Sequence, residues 1–193
     1  MALTKWQGLQ RAALDDLENA HQQVGGIGPG RRYRTQQLDY AYIVMLAAQF
    51  QLFVRNLHDE AAQHLAATAD PATAANAILA GPTQGRSLDY GNANPGTIGN
   101  DFLRIGLGMW VVLEKKDKRN KDRQKRLEQL NVWRNGVAHQ SFDWGKEQLK
   151  TVGKTKATLV YIRRWRAACE ALSAQFDEVV HDHLVAITGT PPW

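Results

Sequence analysis

Arginine, asparagine and histidine stand close together in Arg134-Asn135-Gly136-Val137-Ala138-His139, which follows an apolar helical run through Leu127, Leu130, Val132 and Trp133. Asn135 and His139 are four residues apart and share a helix face. Arg134 precedes His139 by five residues, about 140° around an ideal helix. The two converge on one point if the long arginine reaches round, if the helix bends near Gly136, or if two copies of the segment face each other across a two-fold axis. The residue types suit cleavage of RNA by internal transfer. Histidine titrates near neutrality, so it can take the proton from a ribose 2′-OH or give one to the leaving 5′-oxygen. Arginine stays charged and can fork onto phosphate oxygens as charge builds there. Asparagine can donate to the phosphate or hold the histidine ring. The nucleophile belongs to the substrate, so no metal and no cofactor is expected, and DNA, which lacks the 2′-OH, is excluded.

The elements that must position these residues read as helices, and no stretch alternates as a strand would. Leu3 to Val24 forms a first helix with Thr4 as its N-cap, closed by the glycine-rich break from Gly25 to Gly30. A long helix from about Thr35 to Ala69 carries Tyr42, Leu46, Phe50, Phe53, Leu57 and Leu65 as an apolar stripe. Asp70 caps, and Pro71 opens, a short alanine-rich helix. Gly81 to Gly99 reads as a loop, either ordered over the bundle or a mobile lid. From Asn100 or Asp101 the chain is helical again through Phe102, Leu103, Ile105, Leu107, Trp110 and Val111. The motif helix follows, then a second loop containing Trp144-Gly145 and Gly153. A last helix runs from Thr155 or Thr158 to Ile187, its inner face made of Val160, Trp165, Ala168, Leu172, Phe176, Val179, Val180 and Leu184. The expected architecture is an all-α, up-and-down bundle of four to five helices. It forms one domain over 1–193, with a core at 35–187 and an N-terminal helix and loop at 1–30.

The totals agree with a globular protein. Hydrophobic residues make up 44% of the 193, enough for a packed core. Lys and Arg number 24 against 19 Asp and Glu, a net charge of +5 that favours anionic partners. Cys169 is the sole cysteine, which rules out an internal disulfide and a cysteine-based zinc site. No segment reaches the roughly 18–20 apolar residues of a membrane span. The N-terminus lacks a basic stretch followed by an apolar one, so no secretory signal is read. The expected location is the cytoplasm, away from membranes.

The motif and its helical setting resemble the HEPN superfamily, in which an arginine and a polar residue precede a histidine (R-polar-x3-H) on a late helix of a small helical chain. Leu127 and Leu130 leading into Arg134-Asn135, and Ala138-His139 closing the motif, match that layout, as do the long helix ending in Phe50-Gln51-Leu52-Phe53 and the segment Asn100-Asp101-Phe102-Leu103. The resemblance covers about residues 35–187. It implies a bundle that forms a homodimer through the motif helices and acts as a metal-independent endoribonuclease, with Arg134 and His139 catalytic and Asn135 assisting. It also implies a toxin or phage-defence effector, which an antitoxin protein would restrain. The chain departs from toxins paired with nucleotidyltransferase antitoxins, which carry a tyrosine soon after the histidine; here Gln140-Ser141-Phe142 follows. Two alternatives stand beside this reading. One is a non-catalytic module of the same family that binds RNA or protein; the other is a helical regulatory protein in which the motif has no catalytic role.

Upstream of the motif, Lys115, Lys116, Lys118, Arg119, Lys121, Arg123, Lys125 and Arg126 stand against only Asp117 and Asp122. They form either a track that steers the RNA backbone or a solvated helix face. Arg163-Arg164-Trp165-Arg166 either extends that track or places Trp165 in the core. Gly136 in a helix costs about 1 kcal/mol relative to alanine, which points to close backbone approach across a dimer or to a fraying end. Arg55-Asn56-Leu57-His58 echoes the motif at the wrong spacing and reads as a polar helix face. The glycines at 25–30 lack the lysine and preceding strand of a phosphate loop. His181 and His183, two apart on a helix, point to different sides and share no metal, and Cys169 reads as core.

Overall fold

A computed structural model of the protein describes residues 1–25, 32–69 and 72–193. Every regular element among them is helical. The chain opens with α1 (Ala2–Lys5), passes through a wide π turn (Trp6–Gln10) and continues without a break into α2 (Arg11–Gly25). The longest helix, α3 (Arg32–Ala67), follows, then α4 (Ala72–Thr83), α5 (Ser87–Tyr90), α6 (Pro95–Leu103) and α7 (Met109–Lys116). The motif lies on α8 (Asn120–His139); α9 (Lys146–Val152) and α10 (Leu159–Thr188) complete the chain. α3 packs against α2, α4, α8 and α10, and α8 lies against both α3 and α10.

The apolar stripes expected on the long helices are buried. Tyr42, Leu46, Phe50, Phe53 and Leu57 of α3 meet Leu172, Phe176, Val180 and Leu184 of α10 in one continuous core. Each such side chain contributes about 1.5–3 kcal/mol by leaving water. Phe176 gathers the rings of Phe50, Phe102 and Trp110 around it, at centroid distances of 6.1, 6.4 and 5.5 Å. Ala2, Trp6 and Leu14 belong to the same core, with Trp6 edge-on to Phe50 at 5.7 Å. Arg166 fastens α10 to its neighbours by donating to Asp15 of α2 and to the Tyr42 hydroxyl of α3.

The all-α class holds, but the described residues contain more helices than four or five, because several short ones occupy segments expected to be loops. The stretch 81–99 holds the end of α4, all of α5 and the start of α6. Asn94 caps α6 by accepting from the Thr97 N–H at 2.9 Å, with Pro95 in its first turn. α9 fills the loop expected after His139. Helices of four to nine residues complete about one to two and a half turns, too few to show a periodic stripe. The first helix begins at Ala2, so Thr4 is not its cap. Within α10, Val160 faces solvent rather than the core. The proposed Asp70 cap with Pro71, and the glycine break beyond Gly25, lie outside the described residues.

Candidate functional site

The motif occupies the last turns of α8, which runs unbroken through Gly136 to His139. Helix termination follows at once. Gln140 adopts a left-handed conformation with φ of 50°, and the Ser141 N–H donates to the Gly136 carbonyl at 3.0 Å. This is the six-to-one bond of a Schellman closure. The chain then doubles back, bringing Phe142 alongside the helix. A Cβ on Gly136 would lie 3.1 Å from Phe142 Cδ1 and 3.2 Å from the Ser141 carbonyl oxygen. The chain's own reversal therefore explains the glycine. Phe142 stacks on Tyr40 of α3 and also meets Trp133 and Trp144, so an aromatic cluster fixes the end of the motif helix against α3.

Arg134 is half-buried, and its Nη1 donates to the Oδ1 of Asn135 at 3.1 Å. The long side chain thus bends round α8 toward the face that Asn135 shares with His139. Among the described residues no hydrogen bond joins Arg134 to His139. Arg134 has no carboxylate partner among the described residues, and neither does His139, which is exposed and makes no hydrogen bond there. An uncompensated guanidinium and an exposed imidazole in the last turns of one helix are a setting for an anionic substrate.

A further residue reaches the motif from outside it. Asn92, in the connection between α5 and α6, donates from Nδ2 to Asn135 Oδ1 at 2.6 Å. Two amides pin that connection. Gln51 of α3 donates to the carbonyls of Leu88 and Gly91 at 3.1 and 2.7 Å, and Asn131 of α8 donates to the Ala93 carbonyl at 3.1 Å. Sequence reasoning missed Asn92, since it lies 43 positions before its partner in a stretch expected to be a loop. It also missed Glu128, seven residues before Asn135 and therefore about two turns back along the same stripe of α8. Its carboxyl is half-buried, has no hydrogen-bonding or ionic partner among the described residues, and is pushed above the usual carboxylate range by burial.

The basic run is separated from this site. Lys115 and Lys116 end α7, Lys118 and Arg119 lie in the turn, and Lys121, Arg123, Lys125 and Arg126 fall in the first two turns of α8. Arg126, the nearest, is 8 residues from Arg134 and 13 from His139, roughly 12 and 20 Å at 1.5 Å per residue. Much of its charge is answered locally. Asp117 accepts from Arg119 and Arg123, which hold its carboxyl well below the usual range. Lys116 pairs with Glu178, Lys121 lies 4.0 Å from Glu114, and Lys125 lies 3.8 Å from Asp122. Lys115, Lys118 and Arg126 have no ion pair among the described residues.

Other candidates resolve into structural roles. His58 is fully buried and Arg55 pairs with Asp89 at 2.9 Å, so that echo of the motif is part of the packing. His183 bonds the Ile105 carbonyl, while His181 sits beside Asp182. Among the described residues no cluster of His, Cys, Asp and Glu could hold a metal, and no helix is long and apolar enough to cross a membrane. Trp165 and Cys169 are buried, and burial pushes the Cys169 thiol upward. Between the start of α3 and the end of α8 lies an open groove of about 790 Å³, lined by Tyr40, Ala41, Met45, Ala48, Val137 and Phe142 among others. Comparison with protein-family models, with curated proteins and with solved structures gave no match.

Proposed function

We propose that the protein is an HEPN-type endoribonuclease that cuts RNA without a metal, working as a homodimer. The reading rests on one observation above the rest: the Arg134 guanidinium, free of any carboxylate among the described residues, leans onto Asn135 beside the exposed, unpartnered His139. A phosphodiester would be drawn to Arg134 and to the amide of Asn135. His139 of one protomer takes the proton from the 2′-OH, whose oxygen bonds to phosphorus. The bond to the 5′-oxygen breaks, and that oxygen collects a proton from an acid, for which His139 of the second protomer has the right chemistry. The products end in a 2′,3′-cyclic phosphate and a 5′-hydroxyl.

The second copy is favoured by the surface next to the motif. Ala41, Met45, Ala48 and Leu52 are exposed on α3 at spacings of four, three and four, an apolar seam of the kind that packs against another helix. The toxin or phage-defence role, and restraint by an antitoxin protein, belong to the same reading. The unpaired Lys115, Lys118 and Arg126 would attract the RNA backbone at a distance rather than act at the scissile bond.

The test is incubation of the purified protein with mixed RNA in EDTA, reading fragment ends. Fragments with 2′,3′-cyclic ends are expected, with a loss on the order of 10²-fold or more in His139→Ala. His139 is exposed, so that variant keeps its fold. Absence of cleavage, or full cleavage by His139→Ala, overturns the reading. RNA binding without cleavage would point instead to a non-catalytic module.

A further inference from the structure

We infer that Asn92 is a positioning residue that fixes which way the Asn135 amide faces, and so turns Asn135 into an N–H donor aimed at a phosphodiester. The inference rests on the nuclease reading for its substrate, but its geometric part stands alone. A side-chain carbonyl oxygen has two lone pairs. In Asn135 both are engaged, one by Asn92 Nδ2 at 2.6 Å and one by Arg134 Nη1 at 3.1 Å. Rotating the amide by half a turn would set its N–H groups against two other donors. Its –NH2 is therefore held away from Asn92 and Arg134, able to bond an anion that approaches the guanidinium.

Asn92 can impose this because its backbone is fixed on both sides. Gly91 is held to α3 through Gln51, and Ala93 is held to α8 through Asn131. Asn131 stands four residues before Asn135, one turn along the same helix face. The helix that carries the motif thus also sets the register of the segment that orients it. Arg134 depends on the same arrangement, since its contact with Asn135 Oδ1 requires that oxygen to face inward.

Three proteins test this: wild type, Asn92→Ala and Asn92→Asp. Alanine removes the orienting donor. Aspartate keeps the size but offers only acceptors, so the Asn135 –NH2 turns toward the new carboxylate and Arg134 is drawn to it as well. The expected order of kcat on RNA is wild type, then Asn92→Ala, then Asn92→Asp. The last is reduced on the order of 10²-fold, as for a misaligned catalytic group, with KM raised because Arg134 and the Asn135 amide are turned onto the carboxylate, and melting temperature little changed. A residue that merely fills space would give the opposite order, since aspartate preserves its volume; an Asn92→Asp enzyme as active as wild type, or more active than Asn92→Ala, overturns the inference. If wild type cuts no RNA, the nuclease reading falls, and the side-chain amide signals of the folded protein decide the rest. Inorganic phosphate should shift the Asn135 amide resonances in wild type and leave them unmoved in Asn92→Asp. Unmoved Asn135 signals in wild type would overturn the inference on their own.

Discussion

Nη1 of Arg86 lies 3.2 Å from Nδ1 of His58, inside a part of the core where the imidazole has no exposed surface. The ring's other nitrogen donates to the Asp101 carbonyl at 3.0 Å, so Nδ1 must accept and the ring must be neutral. Burial above all holds His58 below its ordinary value near 6.5; the bond to the Asp101 carbonyl is the largest opposing effect, and the Arg86 charge adds a smaller push downward. The folded state therefore binds this proton less readily than the unfolded one. The stability it supplies is complete above pH 6.5 and drains away as the pH falls below it. Urea unfolding should show stability level from pH 7.5 to 6.5 and falling from there to pH 5, with this group supplying no more than about 1.4 kcal/mol per pH unit. His58→Gln, which can make both bonds without titrating, should be flatter. Equal slopes would refute the assignment.

Glu128 titrates in the opposite sense. Its folded pKa is raised by burial, so the protonated carboxyl favours the fold at low pH and the advantage is lost as the pH rises through that folded value. Glu128→Gln should raise the melting temperature at pH 7, and the gain should vanish below about pH 4, where the unfolded chain also carries the proton. A variant less stable than wild type at pH 7 would mean that the carboxylate has a partner in solution.

Gly136→Ala sets two effects against each other. Alanine improves helix propensity by about 1 kcal/mol. Its Cβ, however, meets both the Phe142 ring and a backbone oxygen that the helix closure holds in place. Overpacking of this kind costs about 1–3 kcal/mol, so a net destabilisation of about 1 kcal/mol is expected by denaturant unfolding. A stabilised variant would show that the reversal after His139 yields easily.

The exposed seam on α3 makes a prediction about mass. In light scattering the protein should run at twice its 21.6 kDa chain mass. Met45→Glu places a charge in the seam and should give a folded monomer with reduced RNA cleavage. A wild-type monomer, or an unaffected dimer in the variant, would exclude this surface as the interface.

The sequence made the long helices legible because their stripes repeat over many turns: the α3 face was readable, and so was the α10 face apart from Val160 in its first turn. α5 and α9 were not, since one or two turns carry no period, although Asn94-Pro95 was an available signal for the start of α6. The motif could be located from its spacing. What surrounds it could not, because Asn92 reaches it, and Gln51 and Tyr40 hold the segments beside it, from distant positions through contacts that leave no local pattern. The basic run was visible as composition, but the pairing of Lys116 with Glu178 depends on α7 lying beside α10, which no short window of residues reveals.

The wide turn at Trp6–Gln10 has a consequence of its own. Trp6, Gln10 and Leu14 are all buried at steps of four residues, whereas a plain α-helix would carry each successive step about 40° further round. The looser winding within Trp6–Gln10 offsets that drift, and all three side chains stay buried. The beginning of the chain is thus keyed to the core like a screw with one slackened thread. Removing a single residue from that turn would rotate everything before it by about 100°, swinging Trp6 off Phe50 and Ala2 away from Glu60, which now accepts its backbone N–H at 3.0 Å.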